Sequence, residues 1–187
     1  VQGLEKLRQV SALLEASSDY RDVRAPGKVK DDQALLSRSE KTAQEIDALI
    51  DELASAEPAF DTSGSWAEQV TELQESLQRL RSVDSFQSNI DPQFKYYDEF
   101  VQKVRALVTA TIEISAMGQG GARENTVLLG LVRDSLPDAR EVLGQARAYG
   151  VFALLNGQVG YALSDVLNNI YDGLTNRATL LKPALDL

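Results

Sequence analysis

The chain has 187 residues, 43% of them hydrophobic and 25% charged, with a net charge of -9. That balance folds, and at this length it makes one domain with a substantial core, or one elongated helical module, rather than two domains. The acidic surplus excludes a nucleic-acid surface, which needs clustered Lys and Arg to neutralise phosphates. Neither cysteine nor histidine occurs, so the usual zinc ligands, general base and activated nucleophile are missing, and only carboxylate sites for Ca²⁺ or Mg²⁺ stay open. No phosphate-binding glycine loop or cofactor fingerprint is present, so neither an enzyme nor a cofactor is expected.

The first predicted helix covers residues 3–20, with Leu4, Leu7, Val10 and Leu14 on one side, and Arg24-Ala-Pro-Gly-Lys28 is expected to end it. A second covers 31–55, opening on Asp31-Asp32 with Leu36, Ala43, Ile46, Ile50 and Leu53 on its apolar face; Glu40, Glu45, Asp51 and Glu52 make its solvated one. After Glu57–Gly64, Ser65 is the expected N-cap of a helix whose Trp66, Val70, Leu73, Leu77 and Leu80 form a heptad seam. Residues 83–90 either continue that helix or interrupt it. Asp91-Pro92 is read as the cap and first turn of a fourth helix, 91–117, burying Phe94, Tyr97, Val101, Val104, Val108 and Ile112. Gly118–Gly121 is expected to stop it and reverse the chain. A fifth helix, 122–155, carries Pro137 and so a kink or break near Ser135–Leu136, and a sixth, 159–181, uses Val159, Ala162, Val166, Ile170 and Leu174.

No stretch alternates with period two for long enough to make a strand, so the fold is read as all-α: an elongated antiparallel helical bundle, like a four-helix bundle with additional shorter helices. The first and last helices are expected side by side, with both chain ends at one end of the bundle. The chain begins at Val1 without an initiator methionine and stops at Leu187 in mid-pattern, so it is expected to be a fragment of a longer protein. No apolar run approaches the roughly 20 residues that span a bilayer, which puts any membrane segment outside it.

The stretch 134–154 is the most informative. At 100° per residue Leu136, Ala139, Leu143, Arg147, Gly150 and Leu154 share one stripe, so Arg147 points where an apolar residue belongs. A guanidinium keeps its charge there and needs a partner: a buried acid, or an anionic ligand held between helices. Gly144 and Gly150 fit close helix packing or backbone contact with a ligand. Tyr149 fits a pocket cap or a buried, hydrogen-bonded position, and Tyr96, Tyr97 and Trp66 fit a cavity lining or the core. Arg8, at the edge of its helix's stripe, fits an ion pair or a share in an anion site. The paired carboxylates Asp31-Asp32 and Asp51-Glu52 lack the partners of a metal or catalytic site.

Three passages resemble a known family. Leu4-Glu-Lys-Leu-Arg-Gln-Val-Ser-Ala-Leu-Leu14 is similar to a first sensor helix with a Gln-x-x-His-Arg-Gly-Leu-Ser motif, of which Arg8 and Ser11 match, while Leu7 and Gln9 replace the histidine and glycine. Trp66, Ser85-Phe86 and the apolar helix through Ile114-Ser115 are similar to that domain's second and third helices. Ser135–Gly150 looks like its pattern of Leu-Pro, then Glu, then Leu-Gly-x-x-Arg-x-x-Gly. At Ala116–Thr126 the chain departs, with Gly118–Gly121 where relatives carry Asp-Pro and tyrosines.

The family is the periplasmic helical sensor domain of bacterial transmembrane receptors, above all methyl-accepting chemotaxis proteins and related histidine kinases and diguanylate cyclases. The resemblance implies one extracytoplasmic sensor domain over residues 1–187, anchored by flanking membrane segments in an inner-membrane protein that signals as a weak homodimer. With the residue chemistry above, it implies a small anionic ligand and a candidate binding set of Arg147, Tyr149, Gly150, Arg8 and Tyr97. A helical interaction module without a small ligand is the alternative.

Overall fold

In a computed structural model of the protein, residues 2–55, 58–115 and 123–185 are described, and they form an all-α bundle with no strand among them. Four helices make its body: α1 (Gln2–Lys30), α2 (Gln33–Ala54), α3 (Ser65–Val83) and α4 (Ile90–Ile114). α1 packs on α2 and α4, and α3 closes the ring against the same two helices. A short α5 (Arg123–Gly130) and a π-helical turn (Leu131–Ser135) lead into α6 (Leu136–Asn156), which lies on α1, and α7 (Tyr161–Leu185) packs on α6. The expected reversal at Gly118–Gly121 lies outside the described residues.

The core is what the helical periodicity predicts for α2, α3 and α4. Ile46, Ile50, Leu53, Trp66, Val70, Leu73, Phe94, Tyr97, Val101, Val104 and Val108 are all buried. Trp66 carries an indole N–H into this core, where it donates to Thr111 Oγ1 at 2.8 Å. Without that acceptor the buried donor would cost about 1–3 kcal/mol.

α1 departs from expectation by running straight through Pro26. Proline removes one backbone hydrogen bond and crowds the preceding turn. On either side of it, Arg24 and Lys28 both bind the Asp84 carboxylate, at 2.8 and 2.5 Å, and hold the last turns of the helix onto the bundle. The reversal comes instead at Asp31, whose φ of 51° is left-handed, followed by Asp32, which caps α2 by accepting from Leu35 N at 3.0 Å. Gly27 permits the tight return, since a Cβ there would meet Leu35 Cβ at 2.9 Å.

Other boundaries shift by a residue or two. Gly64, not Ser65, is the N-cap of α3, and Asp61 supplies the side-chain acceptor for Ala67 N. Asn89, not Asp91, caps α4, leaving the Asp91 carboxylate for Lys95 and Tyr149. Asp84, at φ 37°, ends α3, so residues 84–89 interrupt the helix rather than extend it. Pro137 is absorbed by the π-helical turn just before it, where Leu136 N donates to Leu131 O. The wider turn makes room for the proline ring without a sharp break.

Side-chain pairs fix helix directions. Glu15–Arg140, Asp22–Arg147 and Lys30–Asn156 rise together in sequence, so α1 and α6 run parallel. Arg177 pairs with Asp138, so α7 runs back antiparallel to α6. α7 therefore returns toward the end of the bundle where α1 begins, as expected. It does so without lying beside α1, because α6 occupies that place. Among the described residues no helix is long and apolar enough to cross a membrane.

Candidate functional site

α1 is surrounded by α2, α4 and α6, so residues on several of its faces become buried, including charged ones. Arg21 is 0% exposed. Its Nε donates to Asp22 Oδ1 at 2.9 Å, and its Nη1 donates to Asp98 Oδ1 on α4 at 2.5 Å and to Glu141 Oε2 on α6 at 2.7 Å. The guanidinium also lies over the Phe94 ring, 4.3 Å from its centroid, a cation–π contact. One arginine thus ties three helices together.

Asp22, buried beside it, receives a second guanidinium from α6: Arg147 Nη2 donates to its Oδ2 at 2.9 Å. Arg147 Nη1 pairs with Asp19 at 2.7 Å. Burial pushes the Asp22 carboxyl above its ordinary range, against the two arginines that pull it down. For Arg21, burial works against the charge and Asp22, Glu141 and Asp98 more than offset it. Such a cluster costs several kcal/mol per ion to desolvate and holds only because nearly every charge meets another.

Gly144 makes this meeting possible. A Cβ there would stand 2.5 Å from Asp22 Oδ2 and 2.9 Å from Arg21 Nη2, so any side chain would push α6 off α1. The face of α6 that packs is accordingly Val142, Gly144, Ala148 and Tyr149. The stripe expected to be buried turns outward instead: Leu136, Leu143 and Leu154 are exposed, and Arg147 is half-exposed at 42%. The contact face was chosen by small residues against buried charge, not by the leucine stripe.

Beside this contact α1, α2 and α6 leave a groove of about 530 Å³, lined by Glu15, Asp19, Asp22, Glu45, Arg140 and Arg147 among others. A second hollow of about 560 Å³ adjoins it, with Arg8, Leu14, Val108, Val132, Leu136 and Pro137 in its walls. Ala12, Glu15, Arg140 and Leu143 line both, so the two hollows share walls and together make up the α1–α6 channel.

The five candidate residues are not gathered at one point. Arg147 lines the charged hollow and Arg8 the apolar one, where Arg8 is exposed and pairs with Glu5 at 2.7 Å. Tyr149 is buried and donates to Asp91 Oδ1 at 2.7 Å; burial, then that hydrogen bond, raises its phenol above the ordinary value. Tyr97 is a core residue that donates to Asp84 Oδ1 at 2.9 Å. Gly150 has open space where a Cβ would be, so it is neither a packing contact nor a groove wall. Arg21, Asp22, Asp19 and Glu141 were not singled out from sequence. The three-residue spacing of Asp19 and Asp22, which places both on one helical face opposite a lone arginine, was the available signal.

Comparison with protein-family models, with characterised proteins and with solved structures finds no match for the chain.

Proposed function

We propose that the chain is a non-catalytic extracytoplasmic sensor domain of a bacterial transmembrane receptor, of chemoreceptor type, in which a small molecule in the α1–α6 groove displaces the α6–α7 hairpin relative to α1. One observation carries this reading: α6 lies parallel to α1 on a seam of ion pairs, with a channel open beside it. Ion pairs that face solvent on one side can exchange partners with a ligand at small net cost, whereas interdigitated apolar packing cannot. α7 returns to the end where α1 begins, so a shift of the hairpin changes the spacing of two helices leading toward one surface. A ligand moves that equilibrium only by its differential affinity for the two arrangements.

The ligand charge implied by Arg147 alone changes in this setting. Both Nη atoms of Arg147 are held by carboxylates, so no free guanidinium awaits an anion. A thermal-shift screen of amines, amino acids and organic acids tests the reading: compounds that raise Tm and alter amide resonances along α1 and α6 support it, and a screen without such compounds removes the sensor role.

The interaction-module alternative is favoured by one feature. Leu154, Val159 and Tyr161, around the α6–α7 turn, are 83%, 55% and 95% exposed. Sedimentation at high concentration separates the two: self-association abolished by Leu154→Ser and Tyr161→Ser assigns that tip to a protein contact.

A further inference from the structure

We infer that the α1–α6 channel takes an organic cation with an apolar body, its ammonium group among Glu15, Asp19 and Glu45 and its hydrocarbon on Leu143, Leu136 and Val132. This rests on the sensor reading for its site and names the class of ligand. The charged hollow holds the carboxylates of Glu15, Asp19, Asp22 and Glu45 against the guanidiniums of Arg140 and Arg147. Each arginine is already paired: Arg140 with Glu15 at 3.0 Å, Arg147 with Asp19 and Asp22; Asp19 also stands 3.7 Å from Arg38. Glu45 has no hydrogen bond or ion pair among the described residues. An anion that took a guanidinium would leave its carboxylate bare beside Glu45, whereas a cation meets in Glu45 the one lining carboxylate without a partner among the described residues.

The adjoining hollow supplies the second half of the recognition. Leu136 and Leu143 are 54% and 58% exposed and line it, with Val132 and Pro137 in the same walls. Covering those side chains with hydrocarbon removes apolar surface from water on both partners. Leu143 and Glu15 line both hollows, so the charged and apolar halves of the recognition share walls. A compact inorganic cation would leave the apolar half empty, and a neutral hydrocarbon would leave the charged half unused.

The test uses the intact chain with butyl-, hexyl- and octylammonium, and octanoate as the control of opposite charge. Isothermal titration should show saturable binding that tightens about two- to fourfold per added methylene, with octanoate at least tenfold weaker than octylammonium. Glu45 and Leu143 are exposed, so their substitution leaves the fold intact, which far-UV circular dichroism checks. Glu45→Gln should weaken all three ammonium ions by a similar factor, whereas Leu143→Ser should flatten the dependence on chain length. Octanoate binding as tightly as octylammonium, no saturable ammonium binding, or indifference to both substitutions would overturn the inference. Octylammonium binding without movement of α7 relative to α1 keeps the ligand class and removes the sensor reading. An anion that binds and moves α7 does the reverse.

Discussion

Gly144 sits against Asp22 so closely that a methyl group on it would lie 2.5 Å from the carboxylate. Neither partner can yield, because Asp22 is held by Arg21 and Arg147 and Gly144 is in mid-helix. Gly144→Ala is therefore expected to destabilise the protein by about 1–3 kcal/mol, the usual cost of overpacking. Gly150→Ala, with open space around its Cβ and an ordinary helical backbone, should instead stabilise by about 0.5–1 kcal/mol. Urea unfolding of the two variants checks the contrast; equal effects would mean that α6 does not pack as described.

Removing the central guanidinium should be far more damaging than removing the visible one. Arg21→Met leaves Asp22 buried with one partner fewer and leaves Asp98 and Glu141 with only the Gln102 and Gln145 amides, for an expected loss of about 3–5 kcal/mol. Arg147→Ala acts at a half-exposed position where Arg21 still holds Asp22, so its melting temperature should fall by less. Arg8→Ala, in a fully solvated pair, should leave the melting temperature unchanged. Calorimetry on the three variants gives the order.

Acid should unfold the protein partly through Asp84 and Asp138. Burial pushes the Asp84 carboxyl up, but hydrogen bonds from Arg24, Lys28 and Tyr97 outweigh it and hold the group below its ordinary range. Asp138 behaves alike through Arg105 and Arg177. Because the folded values lie below the unfolded ones, this stability is present above roughly pH 4 and lost as the pH falls through the folded values. Asp22 has the opposite sign: its folded value is raised, so its ionisation costs stability as the pH rises through that value. Asp84→Asn should flatten the acid limb of the melting temperature against pH; an unchanged limb would contradict the role given to its three donors.

Most of the bundle was legible because α2, α3 and α4 each bury one stripe, and a single apolar stripe is what periodicity detects. α1 and α6 depart from that pattern, each for its own physical reason. α1 is enclosed by three helices, so burial reaches beyond one face and charged residues such as Arg21 and Asp22 enter the interior as a mutually neutralising set. Pro26 and Gly27, ordinarily a helix end, placed these residues in an expected loop, although tertiary contacts to Asp84 carry the helix onward. On α6 the exposed leucines suggested the wrong contact face, since close approach at Gly144 decides the matter and spacing alone cannot report it. Of the candidate site, Arg147 and Arg8 were found in channel walls, while Tyr149 and Tyr97 proved to be anchored core tyrosines.

The distance between α1 and α7 tests the central claim most directly. The chain has no cysteine, so Leu4→Cys and Asn176→Cys, both at exposed positions, introduce the only two sites for spin labels. Pulsed electron–electron resonance is measured before and after saturation with the tightest-binding compound of the small-molecule screen. A sensor that works through the α1–α6 seam predicts a shift of about 1–2 Å in the main distance, the scale of known helix displacements, and its loss when Gly144→Ala pushes α6 away beforehand. A bound compound that leaves the distance distribution unchanged would contradict the account.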